Sequence, residues 1–176
     1  MGKNNHWDDR KNLQIEKYSP LLNENFLTKL WIRFSHLFLN NPNYDSFLIL
    51  KVLKYIENKS DFNFLFIHLV DTDEVGHLYG FKSKEYMKKL YETDKYVDLL
   101  INKINKHCSN PLILITTDHG GKDKSHGGNS DDEINVFIGS NSILDKSLDS
   151  NMCCSSVILN SFGIAIPTYF DNHPQI

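Results

Sequence analysis

Five residues of this sequence have the types and the spacing to hold metal ions. Asp118 and His119 close the apolar run Leu112–Thr117 in LILITTDHGG, and His126 comes in HGG, seven residues after His119. Upstream, DTDEVGHLYG carries Asp73 and His77 four residues apart, a spacing that sets both side chains on one face of a helical turn. Carboxylate and imidazole donors bunched after an apolar run, with glycines that let the backbone bend around them, suit a divalent-metal site. The two lysines between the histidines, Lys122 and Lys124, read as solvated loop residues, with Lys122 the candidate contact for a phosphate.

The elements that would position these groups emerge from hydrophobic periodicity. Asp61–Val70 (DFNFLFIHLV) is almost continuously apolar, as expected of a strand covered on both faces, with His68 a satisfied interior or edge residue. Leu112–Thr117 predicts a second strand and Ile134–Ile138 a third. Helical spacing predicts helices over Leu21–Leu39, from Asp45 or Ser46 to about Asn58, from Ser83 to about Lys106, and over 153–162. Trp31 and its neighbouring phenylalanines read as core; the second helix would bury Phe47, Leu48, Leu50, Leu53 and Ile56. On the long helix, Met87, Leu90, Tyr91, Val97, Leu100, Ile101 and Ile104 trace one side.

Strands alternating with helices predict an α/β fold, a layered and mostly parallel sheet with helices on both faces. In such sheets ligands gather at the carboxyl ends of strands. Neighbouring strands are about 5 Å apart, so the two clusters, leaving one sheet edge, could share a two-metal site. Residues 1–20 are polar and read as a lead-in, with 21–176 one domain.

Composition narrows the function classes. A formal charge of −3 offers no basic face for nucleic acid. Three cysteines, Cys108 and the adjacent Cys153 and Cys154, make neither a disulfide framework nor a CxxC motif. No apolar stretch suits a signal peptide or a membrane span, so the default expectation is a soluble, cytoplasmic chain. Asn58-Lys59-Ser60 fits the glycosylation pattern, which would matter only in a secretory compartment. Asp71 and Asp94 read as structural hydrogen-bonding groups, and His107 and His173 as surface residues.

The order D-x-x-G-H, a long helix with Tyr and Asp (EYMKKLYETDKYVDLL), strand-TDHGG and HGG resembles the carboxyl-terminal half of the alkaline phosphatase superfamily. Within it, the sequence is most similar to the type I phosphodiesterase/nucleotide pyrophosphatase branch, and the short step from DHGG to HGG also resembles the ethanolamine-phosphate transferases of GPI-anchor synthesis. The likeness runs from about Tyr44 to Pro167 and includes the ending SSVILNSFGIAIP. The resemblance implies that Asp73, His77 and His126 ligate one divalent ion and that Asp118 and His119 ligate a second. Zinc suits this donor set best, with manganese the alternative. It further implies an alkaline-phosphatase-like fold and a phosphate ester as substrate, a small molecule or a phospholipid head group.

The chain departs from that pattern at the nucleophile. The family takes a Thr or Ser nucleophile and one more aspartate from an amino-terminal strand and helix start, for which this sequence offers only Asp8, Asp9 and Thr28. Three readings are open: a metal-dependent phosphodiester or nucleotide pyrophosphate hydrolase or phosphotransferase in fragment form; a non-catalytic metal-binding remnant or half-domain acting with a missing amino-terminal half; and a phosphomutase-like member.

Overall fold

The structure is a computed structural model that describes residues 25–39, 43–59, 62–144, 148–168 and 170. Asp8, Asp9, Ser60 and His173 lie outside the described residues. In chain order the elements are α1 (Phe26–Leu39), α2 (Tyr44–Asn58), α3 (Asp71–Tyr79), α4 (Lys84–His107), β1 (Leu114–Thr116), α5 (Asp131–Ile134), β2 (Ile138–Ser140) and α6 (Cys153–Ser161).

Helices α2 and α4 pack together and form the core with the extended run between α2 and α3. Leu48, Ile49, Val52, Ile56 and Leu100 are buried there, and Phe62, Leu65, Ile67 and Leu69 close over them. The buried face of α2 is turned from the expected one, since Leu50 is exposed and Ile49 and Val52 take its place. The rotation follows from Asp45, which is fully buried in the first turn of α2 and accepts hydrogen bonds from the N–H groups of Val70 and Asp71. Neither Asp45 nor Ser46 caps α2; Asn43 stands at that position, and the Asp71 carboxylate takes the Tyr44 and Asp45 N–H groups.

Ser83 starts α4 as predicted, its hydroxyl oxygen accepting from the Tyr86 N–H at 3.1 Å. The inward stripe of α4 differs from the expected one. Lys89 and Leu100 are buried, while Met87, Leu90 and Tyr91 are exposed. A lysine reaches the interior because carboxylates await it, Glu92 at 3.0 Å and Asp71 at 3.9 Å. On α1, Ile32 is buried, whereas Phe26, Leu27, Leu30, Trp31 and Phe34 are exposed, contrary to their reading as core.

Among the described residues the sheet has two strands, β1 and β2, paired antiparallel with Ile115 opposite Gly139. Helix and strand combine in an α/β arrangement, and among the described residues this antiparallel pair does not make the layered, mostly parallel sheet expected from the sequence. The third strand falls later than expected, because 131–134 winds into the helical turn α5 and leaves Ile138–Ser140 to pair. Among the described residues the run Phe62–Val70 lies in neither helix nor sheet, with a bend at Asn63. From Phe64 its side chains alternate as in an extended strand, with Leu65, Ile67 and Leu69 (and Phe62 before the bend) against the core and Phe64, Phe66 and His68 exposed. His68 is thus neither interior nor buried at an edge. No helix among the described residues is long and apolar enough to cross a membrane. All three cysteines are free.

Candidate metal centre

Helix α3 and the loop after β1 meet at one cluster. Asp73 and His77 project from one face of α3, His77 Nε2 lying 3.4 Å from Asp73 Oδ2. His126 approaches from the loop, its Nε2 3.7 Å from Asp73 Oδ1. One donor atom from each of Asp73, His77 and His126 falls within 4.8 Å of the others. Asp73 Oδ1 is buried and has no hydrogen-bond partner. A buried carboxylate oxygen left without a donor is costly, and a cation shared with two imidazole nitrogens would satisfy it.

The tautomers suit ligation. His77 Nδ1 lies 2.9 Å from the Lys124 carbonyl and His119 Nδ1 lies 2.8 Å from the Gly120 carbonyl. A carbonyl only accepts, so each Nδ1 carries the proton and each Nε2 lone pair is left free, the usual outer arrangement around a metal-bound histidine.

A tight turn delivers His126. Lys122 and Ser125 exchange backbone hydrogen bonds of 2.9 and 3.0 Å, and Asp123 takes a positive φ of 52° between them. The turn docks on α3 and on the residues just beyond that helix. The Asp123 carbonyl accepts from the Phe81 N–H at 2.6 Å, and the Lys124 carbonyl takes the His77 proton. Lys122 and Lys124 themselves are exposed, in keeping with solvated loop lysines.

Asp118 and His119 stand beside this triad. The His119 ring stacks on His126, centroids 3.7 Å apart and planes 20° from parallel. Asp118 holds its own loop, Oδ1 accepting from the His119 N–H at 3.0 Å and Oδ2 lying 3.6 Å from His119 Nε2. Its side chain is largely exposed. The five residues singled out in the sequence therefore lie side by side, three of them converging and two forming an open flank. Asn151 braces that flank from the approach to α6, its amide donating to the carbonyls of Thr117 and Asp118 at 3.0 Å each.

Phe81 is the residue that sequence reasoning missed. Its ring packs near His77, Tyr86 and His126. A Cβ on Gly76 would stand 2.6 Å from this ring, and one on Gly121 would overlap it. Gly76 and Gly121 thus serve to admit Phe81 between the two motifs. A glycine before His77 and a second after His119, with an aromatic soon after the first, is the signal that could have revealed it.

Asp71 does not reach the cluster. It is buried at the amino end of α3, where burial and then repulsion from Asp45 push its carboxyl up to about 7. Burial likewise raises Asp45. Thr28 lies on α1, its N–H held by Asn25 Oδ1 at 3.0 Å. Asp94 is on α4, and His107 hydrogen-bonds the Lys103 carbonyl near that helix's end.

Comparisons with known proteins identify relatives of the chain. The sequence profile of type I phosphodiesterase / nucleotide pyrophosphatase matches residues 4–158. GPI ethanolamine phosphate transferase 2 of Aspergillus fumigatus is 32% identical over 84 residues, covering 46% of this chain and 11% of that protein. GPI ethanolamine phosphate transferase 1 of Saccharomyces cerevisiae is 35% identical over 66 residues, 36% of this chain and 7% of its own length. GPI ethanolamine phosphate transferase 3 of Schizosaccharomyces pombe is 33% identical over 88 residues, 49% and 9% respectively. The aligned stretch thus spans about a tenth of these relatives. No solved structure matches. With its profile match covering most of the sequence, the chain belongs to the type I phosphodiesterase/nucleotide pyrophosphatase family, within the alkaline phosphatase superfamily.

Proposed function

We propose that this chain is the metal-holding part of a phosphoric-ester hydrolase or phosphotransferase. Asp73, His77 and His126 ligate one divalent ion, and Asp118 and His119 contribute to a second; zinc fits the imidazole and carboxylate donors best. The observation that carries the reading is the orphaned, buried Asp73 oxygen facing two imidazoles. When bound, such ions polarise a phosphoryl oxygen and stabilise the attacking and leaving oxygens of an in-line displacement. The chain's own part is to hold the donors in place, through the α3 face, the Lys122–Ser125 turn and the Asn151 amide. The open flank at Asp118 leaves room for the ester, and exposed Lys122 is the candidate contact for its phosphate. The named relatives favour a phosphodiester carrying an ethanolamine head group over a nucleotide pyrophosphate.

A second reading, in which the domain is completed by another segment, is supported by the extended run. Asn63–Leu69 makes no backbone hydrogen bond among the described residues, although it alternates inward and outward like a strand. Unpaired N–H and C=O groups in an extended row ask for neighbouring strands. Such neighbours would rebuild the layered, mostly parallel sheet, cover Phe64 and Phe66, and bring the nucleophile and the further aspartate.

Orthovanadate, which mimics a pentacoordinate phosphoryl centre, tests the reading. The zinc-loaded chain is expected to bind it and the metal-free chain not to. Failure of the zinc-loaded chain to bind would remove the phosphoester assignment. Turnover of bis(p-nitrophenyl) phosphate then separates the readings: zinc-dependent hydrolysis favours a nucleophile within this chain, and binding without turnover favours completion by another segment.

A further inference from the structure

Glu133 ties together the two loops that carry the histidines. Its backbone carbonyl accepts from the Gly120 N–H at 2.8 Å, next to His119. Its carboxylate accepts from the Gly128 N–H at 2.8 Å, two residues beyond His126. The second carboxylate oxygen takes the Ser130 hydroxyl at 2.5 Å and the Ser130 N–H at 3.3 Å, which fixes the Glu133 rotamer from the start of α5. Both glycines sit hard against this turn. A Cβ on Gly120 would overlap the Asp132 carbonyl oxygen, and one on Gly128 would stand 2.6 Å from the Glu133 carboxylate. From outside, Lys82 anchors the turn through a 2.6 Å ion pair with Asp132, joining α5 to the segment after α3.

We propose that Glu133 is a positioning residue that sets the separation of the DHGG and HGG loops, and with it the His119–His126 stack and the reach of His126 toward Asp73. The inference rests on the metal-ligand reading of Asp73, His77 and His126, and adds a residue outside the donor set. The loop from Gly121 to Gly127 has glycines near both ends, so its ends need an external fixture. One residue supplies it to both, through the main chain at Gly120 and through the side chain at Gly128. Outer residues that orient metal ligands typically change affinity on the order of 10–100-fold when removed.

Zinc affinity, by competition with a chromophoric chelator, and amide exchange at Gly128 in the metal-free chain form the test. Glu133→Ala is expected to weaken zinc binding by about 10-fold or more and to speed Gly128 exchange. Glu133→Gln, whose amide oxygen still accepts from Gly128, is expected to restore most of the affinity. Should the alanine variant not fold, Glu133→Asp, one methylene shorter, carries the same expectation. A folded Glu133→Ala or Glu133→Asp chain with wild-type affinity within about twofold would overturn the proposal, as would unchanged Gly128 exchange. If the wild-type chain itself binds no zinc, the metal reading fails and the positioning role falls with it; Gly128 exchange then reports only whether the backbone tie exists.

Discussion

Asp45 and Asp71 exchange helix caps. The Asp45 carboxylate accepts from Val70 and Asp71 at 2.9 and 3.1 Å, and the Asp71 carboxylate accepts from Tyr44 and Asp45 at 3.0 and 3.2 Å. Each acid therefore satisfies the open amino end of the helix whose first turn carries the other. The exchange fixes α2 to α3, and so sets where Asp73 and His77 point.

The pair makes stability fall with rising pH. Burial raises Asp71 to about 7, with repulsion from Asp45 adding to it, so the folded chain holds a proton that the unfolded chain releases near 4. Folding is favoured below the unfolded value, and that advantage is lost as pH climbs toward 7. Chelator-treated protein, followed by denaturant unfolding, should lose on the order of a few kcal/mol between pH 4 and 7. Asp71→Asn should flatten that slope.

Phe81 should be as sensitive to its neighbours as to its own removal. Gly121→Ala would push a methyl into the ring, and the strain should cost about 1–3 kcal/mol in chemical denaturation. Phe81→Ala, which leaves a void beside two of the histidines, should cost a similar amount and weaken zinc binding. A Gly121→Ala chain as stable as wild type would show that Phe81 does not pack there.

Asn151 should matter to the open flank alone. Asn151→Ala removes both bonds to the Asp118 loop, so affinity for a second zinc ion should drop several-fold while the first is unchanged. Stepwise isothermal titration reads the two separately.

Metal binding should weaken in acid, because protons compete with the ion for imidazole nitrogen. Zinc titrations in two buffers of different ionisation enthalpy should reveal proton release on binding.

What the sequence made legible was local. The four-residue step from Asp73 to His77, the Ser83 cap and the DHGG and HGG glycines each depend on near neighbours, and each stands where those patterns place it. The rotation of α2 and α4 was not legible. It is decided by Asp45 and Asp71 meeting across 26 residues, with Lys89 reaching them from α4, and no periodicity encodes a buried charge cluster. The apolar run 62–70 looked like a covered strand because its outward phenylalanines are as apolar as its inward leucines. What, if anything, covers those outward side chains is decided by other parts of the fold, and the run itself does not encode it. Phe81 was hidden for a third reason: a ring admitted by two distant glycines reads, in sequence, like any loop aromatic.

The most direct measurement is zinc bound per chain after exhaustive dialysis, for the wild type and for Asp73→Ala. The account predicts at least one tightly held ion in the wild type and its loss in Asp73→Ala, with the fold intact by circular dichroism. A wild-type chain without zinc, or an Asp73→Ala chain with undiminished zinc, would contradict it.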